Sequence, residues 1–220
     1  MAFFPSYAFL EHVYRAFVKL YGEEPGLRLL MQEAYMKEGE REAFLDCFLN
    51  VEHVEFEGKI EMDVFVEEDD SHGREVLSPG DDDAKTEETY HTLLGFCVLG
   101  GIFGEGIDLK NDSLIGAIIV GTGLPQVCPE REILKNHFDS MGEDGFDYAY
   151  KYPGMNKVLQ AAGRVIRTAE DAGVVALLDE RFQQTGYRRL FPEEWKHMKA
   201  VSMENAGIAA ANFWESQQDI

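Results

Sequence analysis

Three apolar runs stand out in the second half of the chain: LLGFCVLGG at 93–101, LIGAIIVG at 114–121 and GVVALLD at 173–179. Runs without polar alternation fit strands covered on both faces, as in a parallel sheet. Leu27 to Met31 is a shorter strand candidate, and Met1 to Phe4 reads as the stump of a buried strand from a longer chain. Elsewhere the pattern turns helical. After Ser6, suited to be an N-cap, Phe9, Leu10, Val13, Tyr14 and Phe17 fall on one face. Residues 38–49 place Phe44, Leu45 and Phe48 inward, and further helices are predicted over 130–138, 153–168 and 202–214, with Pro153 opening its helix. From Val54 to Val66 apolar residues occupy even positions, the period of a strand, with Gly58 as a hairpin turn. The pattern then stops: residues 67–89 combine acidic runs with Gly and Pro and predict a mobile surface loop.

Alternating strands and helices imply a layered α/β fold with functional loops at the carboxyl ends of the strands. A length of 220 residues with 45% hydrophobic composition supports one substantial core. The predicted organisation is a domain over 1–195, interrupted by an acidic insertion at about 51–89, and a helical tail over 196–220. No window approaches the roughly 18 consecutive apolar residues of a membrane span, and the first residues lack a basic leader. The expectation is a soluble protein of the cytoplasm with no membrane partner. Cys47, Cys97 and Cys128 are too dispersed for a zinc site or a disulfide framework and are expected to be reduced.

The net charge of −21 argues against a nucleic-acid partner until its distribution is considered. Between Glu38 and Tyr90 stand 19 acidic and 4 basic residues, so most of the excess belongs to one segment. The remainder is mildly acidic and leaves room for a locally basic surface.

Two stretches carry candidate chemistry. Gly100-Gly101-Ile102-Phe103-Gly104-Glu105-Gly106-Ile107-Asp108 follows a buried strand, where glycines permit sharp turns and close approach to a ligand, and a carboxylate can accept from a ribose or orient water. A tight turn without a ligand is the simpler reading of that stretch by itself. In QAAGRVIRT (160–168), helical geometry puts Arg164 and Arg167 about 40° and −20° from Gln160, an amide and two cations on one face. A solvated basic face would look the same.

In combination, strand, glycine loop, second strand and Gln/Arg segment resemble the second RecA-like domain of the XPD/DinG family of superfamily 2 DNA helicases. AFFPSY (2–7) resembles the opening of that domain, GGIFGEGIDL its motif V, and QAAGRVIRT followed by DAGVVALLDERF its motif VI and succeeding strand. GTGLPQVCPEREIL and FDYAYKYPGMNKVLQ are also family-like, so the resemblance covers most of 1–10 and 91–195. It implies a RecA-like, P-loop NTPase-type parallel sheet sandwiched by helices, here with the acidic hairpin and loop inserted. It also implies ATP and Mg, held in a cleft completed by a first RecA-like domain acting in cis or in trans. Arg164 and Arg167 would approach the γ-phosphate as arginine fingers with Gln160 beside them. Gly104, Glu105, Gly106 and Asp108 would line the nucleotide side. Ser6, Tyr7, Thr122 and Gly123 would contact single-stranded DNA, although core packing against its own helix explains Tyr7 equally well.

The sequence departs from the family in three respects. No G-x-x-x-x-G-K-[ST] phosphate loop occurs, so the chain does not hydrolyse ATP by the family mechanism on its own, and it supplies no metal ligands. Gly104 stands where many relatives have Ser. The acidic insertion is longer than expected. Beside the helicase reading stand a non-catalytic RecA-like module that binds nucleic acid or protein, and a partner-docking role for the acidic hairpin.

Overall fold

The computed structural model describes residues 1–49, 92–104, 113–168 and 171–217. Five strands form one parallel sheet: β1 (Ala2–Phe4), β2 (Leu27–Met31), β3 (Thr92–Val98), β4 (Gly116–Val120) and β5 (Val174–Leu178), in the order β2-β3-β1-β4-β5. The three-residue strand β1 is central. Ala2 pairs with Phe96 on one side and Ile118 on the other.

Alternation along β1 divides the core between the two faces of the sheet. Ala2 and Phe4 point with Phe96 toward α1 (Tyr7–Tyr21), where Leu10, Val13, Tyr14 and Phe17 cover them. Phe4 stacks on Phe96 and Tyr14 meets it edge-on, with ring centroids 5.6 and 5.1 Å apart. Phe3 faces the opposite way with Cys97 and Ile119, under Phe44, Cys47 and Phe48 of α2 (Glu38–Leu49) and Met155, Val158 and Ala161 of α4 (Tyr152–Ala162). Helices thus lie on both faces of the sheet, while Ile118 of β4 and Leu178 of β5 stay exposed. This is the expected RecA-like layering, and each predicted strand run among the described residues forms a strand.

Helix α3 (Pro129–Ser140) exceeds its predicted span at both ends and is anchored through a π-helical turn over Asp147–Lys151. Tyr150 donates to Glu132 Oε1 at 2.5 Å, and Arg131 Nη1 donates to the Ala149 carbonyl at 2.8 Å. After β5 the aromatic-rich connector forms short helical turns around α5 (Thr185–Arg188), and α6 (Met203–Gln217) follows with no buried residue. The predicted hairpin at 54–66 and loop at 67–89 lie outside the described residues.

One prediction needs correction. The helix expected to reach Thr168 ends at Ala162, with Gly163 as its C-cap. Arg164 and Arg167 therefore do not share a helical face with Gln160. The chain turns over Gly163 to Val165, and Asp171 then draws in the next amides: its Oδ2 accepts from both Arg167 N and Thr168 N at 2.8 Å. Two charge-assisted bonds hold the backbone out of the helical path, in a segment where β-branched Val165 and Ile166 already weaken helix propensity.

Candidate functional site

All five strands point their carboxyl ends to one edge. At β1 the connections diverge, since the neighbours β3 and β4 lead to opposite halves of the sheet, the arrangement that opens a crevice in α/β folds. An open groove of about 470 Å³ lies there. It is bordered by the Pro5 to Ala8 turn after β1, Val98 and Leu99 at the end of β3, residues 123–126 after β4, and Lys157 of α4.

Ser6 caps α1 in extended backbone geometry, its Oγ accepting from Phe9 N at 3.3 Å. Tyr7 opens the helix. Its hydroxyl accepts from Gln32 Nε2 at 2.9 Å, while Gln32 Oε1 accepts from Val98 N at 2.8 Å. Gln32 is 2% exposed, and its backbone N–H donates to the Phe96 carbonyl, so one buried residue locks the start of α1 to the ends of β2 and β3. Burial raises the Tyr7 phenol above its ordinary pKa. Tyr7 thus serves packing and groove lining together. Gln32 escaped sequence analysis because a lone glutamine beyond an apolar run carries no local signal.

Thr122 and Gly123 sit on the neighbouring loop. Gly123 has φ +66°, and a Cβ there would stand 2.7 Å from the Gly154 carbonyl oxygen; one on Gly154 would stand 2.6 Å from the Thr122 oxygen. The loop and the start of α4 therefore meet backbone to backbone. Thr122 is 1% exposed, and its Oγ1 is buried without a hydrogen-bond partner among the described residues. Gly123 lines the groove, whereas the Thr122 hydroxyl lies beneath its rim.

The glycine loop lies at the end of β3. Gly101 N donates to the Val98 carbonyl at 3.0 Å and Gly104 N to the Gly101 carbonyl at 2.9 Å, forming two successive tight turns. The buried Gly104 offers its carbonyl to Arg164 Nε at 3.3 Å. That bond joins segments 60 residues apart in sequence. Arg164 and Arg167 are half-buried and Gln160 is exposed in the last turn of α4. Amides of Arg167 and Thr168 hold the Asp171 carboxyl below its ordinary pKa. Asp171 was also missed from sequence, although an Asp shortly after paired arginines and before a strand is the turn chemistry that could have marked it. Glu105, Gly106 and Asp108 lie outside the described residues. Among the described residues no group of three or more His, Cys, Asp or Glu could hold a metal ion, and no helix is long and apolar enough to cross a membrane.

Residues 1–198 match the model of the helicase C-terminal domain. The chain belongs to that family. Within it, this helicase C-terminal domain is similar to the ATP-dependent DNA helicase DinG of Photobacterium profundum, 32% identical over 46% of this chain and 15% of the relative. It is similar to the ATP-dependent DNA helicase XPD of Sulfolobus acidocaldarius, 29% identical over 60% of this chain and 23% of the relative. A solved structure of apo XPD shares the fold, with a TM-score of 0.52 and 19% identity over 86% of this chain and 29% of that one. The helicase C-terminal domain described here thus spans less than a quarter of the length of these two curated relatives.

Proposed function

We propose that this chain is the second motor half of an ATP-dependent DNA helicase of the XPD/DinG type. Its partner is a first RecA-like domain, in cis or in trans, that holds ATP and Mg. The observation that carries the reading is the hydrogen bond from Arg164 to the Gly104 carbonyl, which joins the two stretches that resemble motifs V and VI of that family. Bound ATP would supply the phosphoryl group and Mg the positive charge that offsets its phosphates. Arg164 and Arg167 would stabilise negative charge spreading over the equatorial oxygens, the role in which a trans-acting arginine is worth on the order of 10³ to 10⁵ in rate. Gln160 would stand at the same cleft, and Glu105, Gly106 and Asp108 would join the loop to nucleotide state. Ser6, Tyr7, Gly123 and the Thr122 backbone would border a single-stranded DNA path through the groove.

Joining the chain to a matching first RecA-like domain is expected to give DNA-stimulated ATPase activity, and Arg167→Ala to lower kcat by about 10³-fold or more. Normal turnover in that variant would remove the arginine-finger role. Single-strand binding that is indifferent to nucleotide and to the partner domain would favour a non-catalytic binding module instead.

A further inference from the structure

The groove contains a cation to which this motor reading assigns no task. Lys157 projects from the second turn of α4, and its stem lies against Gly100, where an added Cβ would come within 2.6 Å of Lys157 Cδ and 2.8 Å of Cε. Gly100 has φ +74°, so backbone conformation and the space needed by the lysine both call for glycine there. The stem is supported by backbone, and among the described residues no carboxylate pairs with the ammonium.

The surroundings matter as much as the side chain. The whole chain has 41 acidic and 20 basic residues, yet the eleven described residues that border the groove include one lysine and no carboxylate. Pro5, Val98, Leu99, Leu124 and Pro125 give it apolar walls. Such walls focus the field of a single cation and suit the sugar and base faces of a strand. A duplex offers two charged backbones, whereas a single cation among the described lining residues suits the phosphates of one.

We infer that Lys157 binds a backbone phosphate of a single nucleic-acid strand lying in the groove between the start of α1 and the 123–126 loop. This deepens the nucleic-acid part of the proposed function and rests on it. Gly100 acts as a positioning residue by leaving room for the lysine stem. Packing of that stem against Gly100 lowers the side-chain entropy lost on binding relative to a freely rotating surface lysine.

The test is fluorescence anisotropy of a labelled oligothymidylate with the full chain between about 20 and 200 mM salt. Lys157→Gln should weaken binding about 3- to 10-fold at low salt and reduce the slope of log affinity against log salt by about 0.7, the increment for one single-strand phosphate. Lys157→Glu should bind more weakly still, Lys157→Arg should restore both quantities, and Lys19→Gln, at the far end of α1, should match the unsubstituted chain. Thermal melts of each variant separate loss of binding from loss of fold. Unchanged affinity and slope in Lys157→Gln and Lys157→Glu would overturn the inference while leaving the single-strand path intact. No binding by the unsubstituted chain at the lowest salt would overturn both. If ATP or inorganic phosphate at matched ionic strength displaced the strand from the unsubstituted chain but not from Lys157→Gln, Lys157 would belong to a small-anion site, and the inference would fail.

Discussion

Arg167 is held by its backbone, through the carboxylate of Asp171. Both bonds to Oδ2 are charge-assisted, and they fix the peptide planes from which the Arg167 and Thr168 side chains depart. Asp171→Ala should therefore displace Arg167 without removing it. On the arginine-finger role proposed for Arg167, it is expected in a complete two-domain motor to lower kcat about 10- to 100-fold while leaving single-strand affinity near its original value, since small misplacements of such a group carry costs of that order. The carboxyl also sets a pH dependence. Its folded-state pKa is depressed, so its contribution is fully present above the unfolded value and is lost as pH falls through the lower folded value. Asp171→Ala should abolish that acid-side loss in thermal melts. An unchanged kcat would show that Arg167 is positioned by other means.

At the scale of elements, the contact between the 121–125 loop and α4 illustrates competing magnitudes. Ala is favoured over Gly inside a helix by about 1 kcal/mol. At Gly154, however, a Cβ would meet the Thr122 oxygen, the Gly123 carbonyl carbon and the Leu124 nitrogen at 2.6 to 3.1 Å, all backbone atoms with little room to give. Overpacking of that kind costs typically 1–3 kcal/mol, so sterics prevail. Gly154→Ala is expected to destabilise the domain by up to about 2 kcal/mol in urea titrations and to loosen the groove rim. Gly207 in α6 is the natural contrast: nothing lies within 4 Å of its added Cβ, so alanine there should affect only the local helix. A stabilised Gly154→Ala protein would mean that the loop separates freely from α4.

For the molecule as a whole, burial separates three cysteines that composition treats alike. Cys97 lies fully buried under α2 and α4, and its thiol is pushed up to about 12; burial also raises Cys47, while Cys128 is partly exposed before α3. At pH 8 a thiol with that pKa is about 10⁻⁴ ionised, and the thiolate is the reactive form. Alkylation followed by mass spectrometry should label Cys128 in the native protein and reach Cys47 and Cys97 at the rate of unfolding. Fast labelling of Cys97 would contradict its place in the core. The same contrast between local pattern and assembled environment governs the fold and the site. Apolar runs at 93–101, 114–121 and 173–179 marked the strands, but the burial on both faces that such runs suggest is incomplete in β4 and β5, where Ile118 and Leu178 stay exposed. Motif order likewise made the family legible. Tertiary structure alone decided that α4 stops at Ala162, that Gln32 holds Tyr7, that Asp171 fixes the Arg167 backbone, and that Lys157 rests over Gly100. Each of these depends on a polar side chain or a bare backbone meeting a particular atom elsewhere in the chain. Periodicity records how deeply a residue is buried, but not which partner awaits it once the strands and loops are assembled.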